Sequence, residues 1–289
     1  MQVDSIAEQL FFTTVRIDTQ NPAGVPGSGT GFFYRHVLGD KNIPFVVSNK
    51  HVVMGQAAGR LTFVQRKDNA PQLGKGFQLE IQGWKDVWFG HPDPNIDIAV
   101  CPLAPLEQHI KAQQNVDIFY RTIGPETVPS EEQLSKLDAI ESVTFVGYPN
   151  GIWDRENLLP VARRGTTASP LHVDFENTPR FLIDASVFGG SSGSPVFIFD
   201  QGMFAEKGGG TVVGSRLFFV GVVAAVFFRT SLNQIVAVPV PTQTLPMVEQ
   251  QEMVDLGIVF KARTVVETVA AFLKAKNVPN TAFESERSP

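Results

Sequence analysis

Gly189-Gly190-Ser191-Ser192-Gly193-Ser194-Pro195 packs three glycines and three serines into one segment and closes it with a proline, a composition that suits neither strand nor helix. Glycine reaches positive φ at little cost and lets a ligand approach the backbone, while proline fixes the exit of the segment and donates no hydrogen bond. The stretch reads as a strained turn that presents one hydroxyl. Phe181-Leu182-Ile183 precedes it and Val196-Phe197-Ile198-Phe199 follows it, so the turn joins two buried apolar strands. A serine hydroxyl becomes a useful nucleophile only beside a base that a third group orients, so the rest of the chain must supply both.

Composition narrows the setting. With 289 residues, 43% of them hydrophobic, the chain can bury the core of one large all-β domain or two small ones. Its 25 Gly and 20 Pro imply frequent turns, and its 23 Phe supply volume without a polar atom to satisfy. A net charge of −5 gives no electrostatic case for nucleic acid or an anionic membrane as partner. Cys101 is the sole cysteine, which excludes an intrachain disulfide framework, fits a reducing compartment and reads as a small buried hydrophobe. Residues 1–20 lack a basic segment followed by an apolar run, and no stretch approaches membrane-spanning length, so a cytoplasmic location is expected.

Read in order, Leu10–Ile17 is a first strand and the Gly/Pro-rich Asn21–Gly31 a loop. Phe32–Tyr34 and Pro44–Ser48 form a hairpin across Gly39–Asn42. The second of those strands runs straight into Asn49-Lys50-His51-Val52-Val53, which places His51 where a strand ends and a helical turn can begin. Further strand-like runs are Arg60–Gln65, Phe77–Ile81 and Val87–Phe89. After the turn-rich His91–Asn95, Asp97 stands alone among Ile96, Ile98, Ala99 and Val100, and a carboxylate in such a run needs a polar partner. Leu106–Gln114 and Ser130–Ala139 read as short helices, the second opened by a Ser130/Gln133 capping box. Ser142–Gly147, Leu217–Phe228 and Ile235–Val240 are strands, and Gly208–Gly210 is a loop. In Arg263–Lys276, Val265, Val266, Val269, Phe272 and Leu273 mark one face of a helix that packs back on the body. Many short strands in two halves suit two packed barrels.

The candidate residues follow the chain order His51, Asp97, Ser192, the order of chymotrypsin-like enzymes rather than of subtilisins or α/β-hydrolases. Gly29-Thr30-Gly31-Phe32, Ser48-Asn49-Lys50-His51-Val52, Asp97-Ile98-Ala99-Val100 and Gly190–Pro195 together resemble the trypsin-like serine peptidase superfamily. The nearest likeness is to its disulfide-free bacterial members and the high-temperature-requirement protease domain. Gly-x-Ser-Gly-x-Pro alone would arise by chance in about 0.5% of chains of this length. The resemblance covers roughly residues 10–245 and implies an all-β fold of two six-stranded antiparallel barrels, with short helical insertions and a C-terminal helix. One domain over 1–289 is expected, with a first barrel at about 10–120, a second at about 140–245 and a helical extension at 246–289, and no PDZ-like module after it.

The resemblance also implies roles. Ser192 attacks a scissile carbonyl, His51 takes its proton and hands it to the leaving amine, and Asp97 holds the imidazole tautomer. Gly190 and Ser192 N–H groups form an oxyanion hole, neither cofactor nor metal is needed, and the substrate is a polypeptide. Ser191 and Ser194 compete with Ser192 as nucleophile, and Asp93 with Asp97, while His36, His91, His109 and His172 read as surface residues. The family's primary pocket maps to Ser186, Val187, Ala224, Ala225 and Val226, none of them acidic, so cleavage after small or medium apolar residues is expected. Secreted trypsins carry an aspartate before the nucleophile that latches a new amino terminus; Ser191 stands there, so control is expected from a protein partner, a moving loop or the insertions at 102–141 and 150–170. The rival readings are a slow esterase-like hydrolase and an inactive protease-fold binding module.

Overall fold

The computed structural model describes residues 2–234 and 247–278, with the side chains of 228–234 and 247–253 left aside. In the first half, β1 (Thr14–Gln20), β2 (Pro26–Leu38), β3 (Lys41–Ser48), β4 (Ala58–Lys67), β5 (Ala70–Glu80), β6 (Phe89–Gly90) and β7 (Ala99–Pro102) form one antiparallel path, β5-β4-β1-β2-β3-β7-β6. The two-residue β8 (Ile118–Phe119) pairs with β4. In the second half, β9 (Ser142–Gly147), β10 (Val161–Thr167), β11 (Arg180–Asp184), β12 (Pro195–Glu206), β13 (Gly210–Gln234) and β14 (Met247–Lys261) close a barrel in the order β10-β11-β14-β13-β12-β9. The fold is the all-β, chymotrypsin-like architecture, but of the two six-stranded barrels expected only the second half closes one; the first is an eight-stranded sheet whose described strands form an open path, because β5 and β6 end it without pairing with each other.

Helices occupy the margins: α1 (Ile6–Leu10), α2 (Lys50–Val53), α3 (Leu103–Gln114), α4 (Glu131–Lys136) and α5 (Arg263–Ala275). Ser130 and Gln133 cap α4 reciprocally, as their spacing predicts. No described helix is long and apolar enough to cross a membrane.

Three apolar clusters organise the molecule. Val15, Ile17, Phe33, Leu61 and Trp84 belong to the core of the first sheet, and Phe145, Phe181, Ile183, Val196 and Val259 to that of the second barrel. A third joins the halves: Phe32, Phe45, Ile98 and Val100 from the first pack with Phe197, Phe219, Val222 and Phe260 from the second, and Val265, Val269 and Leu273 of α5 complete it. Phe272 adds edge-to-face contacts with Phe45 and Phe89, so α5 bridges the seam rather than covering one barrel. The seam matters because Asp97 lies between two of its members, Ile96 and Ile98, and Ala224 is another.

Several boundaries differ from the sequence reading. Leu10 ends a capped helix whose apolar tip enters the seam, and the first strand starts only at Thr14. Pro26–Gly31 is strand, not loop: a side chain at Gly31 would meet Val15, Ile17 and Val46 at 3.0 Å, so the glycine is there for close packing. Met247–Lys261 is a barrel strand paired with both β11 and β13, which moves the end of the second barrel from 245 to 261 and confines the helical extension to α5 onward. The strand expected at Ile235–Val240 lies outside the described residues. His36 is buried, 6% exposed, and His91 packs against Glu267 of α5 at 3.4 Å, so neither is a surface histidine. Cys101 is buried, and burial pushes its thiol up to about 12, as befits an inert hydrophobe.

Candidate functional site

β3 delivers the chain into α2, whose second residue is His51. Its Nδ1 lies 2.5 Å from Asp97 Oδ2, and its backbone N–H donates to Asp97 Oδ1 at 3.0 Å, so both oxygens of the lone acid are occupied by one residue. Asn49 Nδ2 donates to the Asp97 carbonyl at 2.7 Å and fixes the backbone from which that carboxylate projects. The partner demanded by an acid in an apolar run is thus the histidine. Asp93, the competing acid, instead caps Asn95 N–H and lends its carbonyl to Lys50 Nζ. Half of the His51 ring is exposed, and its Nε2 has no hydrogen-bond partner among the described residues.

Ser192 arrives from the other half, in the turn between β11 and β12. The three serines separate by burial: Ser191 and Ser194 are 0% exposed, whereas Ser192 is half-buried and lines, with His51, Gly189 and Gly190, a cavity of about 350 Å3. Ser192 Oγ donates to the Ala224 carbonyl at 3.1 Å, not to His51. The cavity shares Thr19, Pro26 and Gly27 with a second one of about 610 Å3 that extends toward Asp18, Arg60 and Glu80.

The turn itself is cross-braced. Gly190 has φ +80°, and a Cβ there would sit 2.5 Å from the Tyr148 carbonyl, so only glycine fits. The Gly189 carbonyl accepts from Asn150 N–H. In a planar trans peptide the N–H points opposite to its carbonyl, so Gly190 N–H is aimed away from the 148–151 turn. Neither Gly190 nor Ser192 N–H donates to any described backbone or side-chain acceptor, whereas Ser191, Gly193 and Ser194 N–H groups are all spent within the fold. Two uncommitted donors therefore flank the half-buried hydroxyl.

Two further residues brace the turn in ways the sequence did not show. Thr30 N–H donates to the Ser192 carbonyl at 2.9 Å, its Oγ1 donates to the Gly190 carbonyl at 2.9 Å, and that oxygen accepts from Tyr148 N–H at 3.1 Å. Its own carbonyl accepts from Ser48 Oγ at 2.8 Å. A threonine flanked by glycines directly before the apolar Phe32–Tyr34 run was the available signal. The other is Arg163, half of an Arg163-Arg164 pair that reads in the sequence as solvated or, this near the cleft, as a contact to substrate or an insertion; its Nη1 and Nη2 donate at 2.6 Å to the Ser186 carbonyl and Ser191 Oγ. Strand alternation separates it from the exposed Arg164.

The five residues mapped to a primary pocket are not gathered into the cavity that His51 and Ser192 line. Val187 and Val226 pack with the barrel core, and Ala224 belongs to the seam, while Ser186 and Ala225 are exposed. No group of three His, Cys, Asp or Glu side chains among the described residues is placed to hold a metal ion.

Comparison with known proteins follows the same lines. No curated protein matches the chain in sequence. Among solved structures it is similar to a protease of M. tuberculosis in its active form, at 16% identity over 90% of this chain and 81% of that one, with a TM-score of 0.43. It is also similar to the serine endoprotease from Yersinia pestis, at 14% identity over 94% of this chain and 65% of that one, TM-score 0.45. The MamO protease domain from Magnetospirillum magneticum shares 11% identity over 90% of this chain and 97% of that one, TM-score 0.41. The sequence pattern of the trypsin-like peptidase domain matches residues 29–204, more than half of the chain and the whole span from Gly29 through the serine turn, and the chain therefore belongs to the trypsin-like peptidase family.

Proposed function

We propose that this protein is a serine endopeptidase in which His51, Asp97 and Ser192 act as base, orienting acid and nucleophile. The observation that carries the reading is the pairing of Asp97 with His51 at 2.5 Å, where His51 shares a cavity with a half-buried Ser192 flanked by two uncommitted N–H groups. With Nδ1 committed to Asp97, the imidazole is held in the tautomer whose Nε2 can accept a proton. Attack forms a bond from Ser192 Oγ to the substrate carbonyl carbon as the hydroxyl proton leaves the Ala224 carbonyl for Nε2. The carbonyl oxygen gains negative charge opposite Gly190 and Ser192 N–H. Loss of one such donor elsewhere costs about 2.7–4 kcal/mol of transition-state stabilisation. The C–N bond then breaks, Nε2 gives its proton to the leaving amine, and water, activated by the same nitrogen, hydrolyses the acyl-enzyme.

The preference the family mapping implies, cleavage after small or medium apolar side chains, rests on the absence of an acid at Ser186, Val187 and Ala224–Val226 and not on a pocket that they form; a peptide library cut mainly after Arg or Lys overturns it. A fluorophosphonate probe tests the reading as a whole. Wild type should be labelled and Ser192→Ala should not. The hydrogen bond from Ser192 to Ala224 favours a second reading, a protease-fold binding module with an idle hydroxyl. A wild type that stays unlabelled, with candidate partners present, decides for the module.

A further inference from the structure

Arg163 lies on the inward-facing side of β10, opposite Phe145, and its guanidinium packs 4.5 Å from the Phe145 ring and 6.0 Å from Phe188. It has no carboxylate partner among the described residues, its Nε is buried without an acceptor, and burial lowers its pKa to about 10. A partly buried cation without an acid costs stability, and an apolar residue of similar volume is commonly the more stabilising choice at such a place. What the guanidinium supplies that an apolar residue cannot is a two-point tie: one nitrogen donates to the Ser186 carbonyl and the other to Ser191 Oγ, both at 2.6 Å. Those oxygens stand at the two ends of the segment 186–191 that leads into the nucleophile turn, and Ser191 adjoins both Gly190 and Ser192.

We propose that Arg163 is a positioning residue that clamps the ends of the 186–191 segment, so that Gly190 N–H and Ser192 are held in the arrangement that binds the developing oxyanion. The proposal rests on the serine-peptidase reading for its catalytic consequence, but the clamp itself is measurable without activity. The planar fork reaches two acceptors at once; a lysine ammonium keeps the charge on a single nitrogen. The side chain does not line the cavity shared by His51 and Ser192 and acts through Ser191.

The test combines the rate of Ser192 phosphonylation by a fluorophosphonate with amide hydrogen exchange across residues 186–194. The variants are Arg163→Met, Arg163→Lys, Ser191→Ala and the Arg163→Met/Ser191→Ala double. Arg163→Met should slow phosphonylation about 10²-fold, the scale of a misplaced reacting group, and lower kcat on peptides with KM nearly unchanged. It should speed exchange in 186–194 while leaving β9, β11 and β12 protected. Arg163→Lys should recover part of both effects, and the double variant should be no slower than the worse single one. Unchanged exchange in 186–194 overturns the proposal, as do additive losses in the double or loosening of the whole second barrel. A preference for acidic substrate residues that vanishes in Arg163→Met also overturns it, because the guanidinium would then be a substrate contact. If wild type is never phosphonylated, the peptidase reading fails, and exchange alone decides the clamp.

Discussion

The two sides of the candidate site are held by different amounts of structure. His51 rides on a one-turn helix with half its ring exposed, oriented by one carboxylate. The serine turn is tied to Thr30, Asn150, Arg163 and Val223, and the residues on both sides of Ser192 are buried. A group that shuttles a proton tolerates small rotations, whereas N–H donors that meet a developing charge work only if they are already in place. On the proposed roles the contrast matches that division: the base is held by one carboxylate, whereas the donors lie in a turn tied at several points.

The largest break in this comparison is Asp97→Asn, which leaves the geometry but reverses the imidazole tautomer. Hydrolysis should fall about 10⁴-fold with the unfolding midpoint little changed, and a loss under tenfold would remove Asp97 from the site. On the other side the expected damage is to the fold. Gly193→Ala puts a Cβ 1.8 Å from the Thr30 carbonyl at a φ of +88°, and denaturant unfolding should show a loss of about 3 kcal/mol or more. Thr30→Val sharpens the contrast at smaller scale: it strands Tyr148 N–H and the Gly190 carbonyl, which should cost about 1–3 kcal/mol and slow probe labelling while leaving the amide exchange of α2 unmoved. A control lies away from both sides. Burial tends to raise the Asp174 carboxyl, but Lys261 and Arg263 outweigh it and hold the group below its usual value. The stability it adds is therefore present above the ordinary carboxylate pKa of about 4 and is lost as pH falls through the lowered one. Asp174→Asn should flatten the acid limb of the stability curve without altering labelling.

Legibility in the sequence followed the range of the interactions. The Ser130/Gln133 cap, the apolar face of α5 and the strand at Ser142–Gly147 are encoded by neighbours a few residues apart, and they stand where the pattern put them. The glycines of Pro26–Gly31 misled because their partners, Val15, Ile17, Val46 and Val52, come from other strands and a helix. Strand β14 was missed because the segment after Pro246 pairs with residues more than twenty positions away along most of its length. At the site, the chemistry-bearing residue types and their order were readable, as was the need of Asp97 for a partner. The ties that Thr30 and Arg163 make to the serine turn were not, since their partners are distant in sequence.

By itself, then, the sequence determined a strand-rich chain with a turn able to expose a hydroxyl, a histidine at a strand end and one acid in an apolar run, because local propensity and residue chemistry travel with the residues. Only the tertiary structure decided that Ser192, and not Ser191 or Ser194, shares a cavity with His51, and that its hydroxyl is bonded to Ala224. The seam of Phe32, Phe45, Ile98, Phe197, Phe219 and α5 fixes how the halves meet, and a contact across that seam has no counterpart in the order of residues along either half.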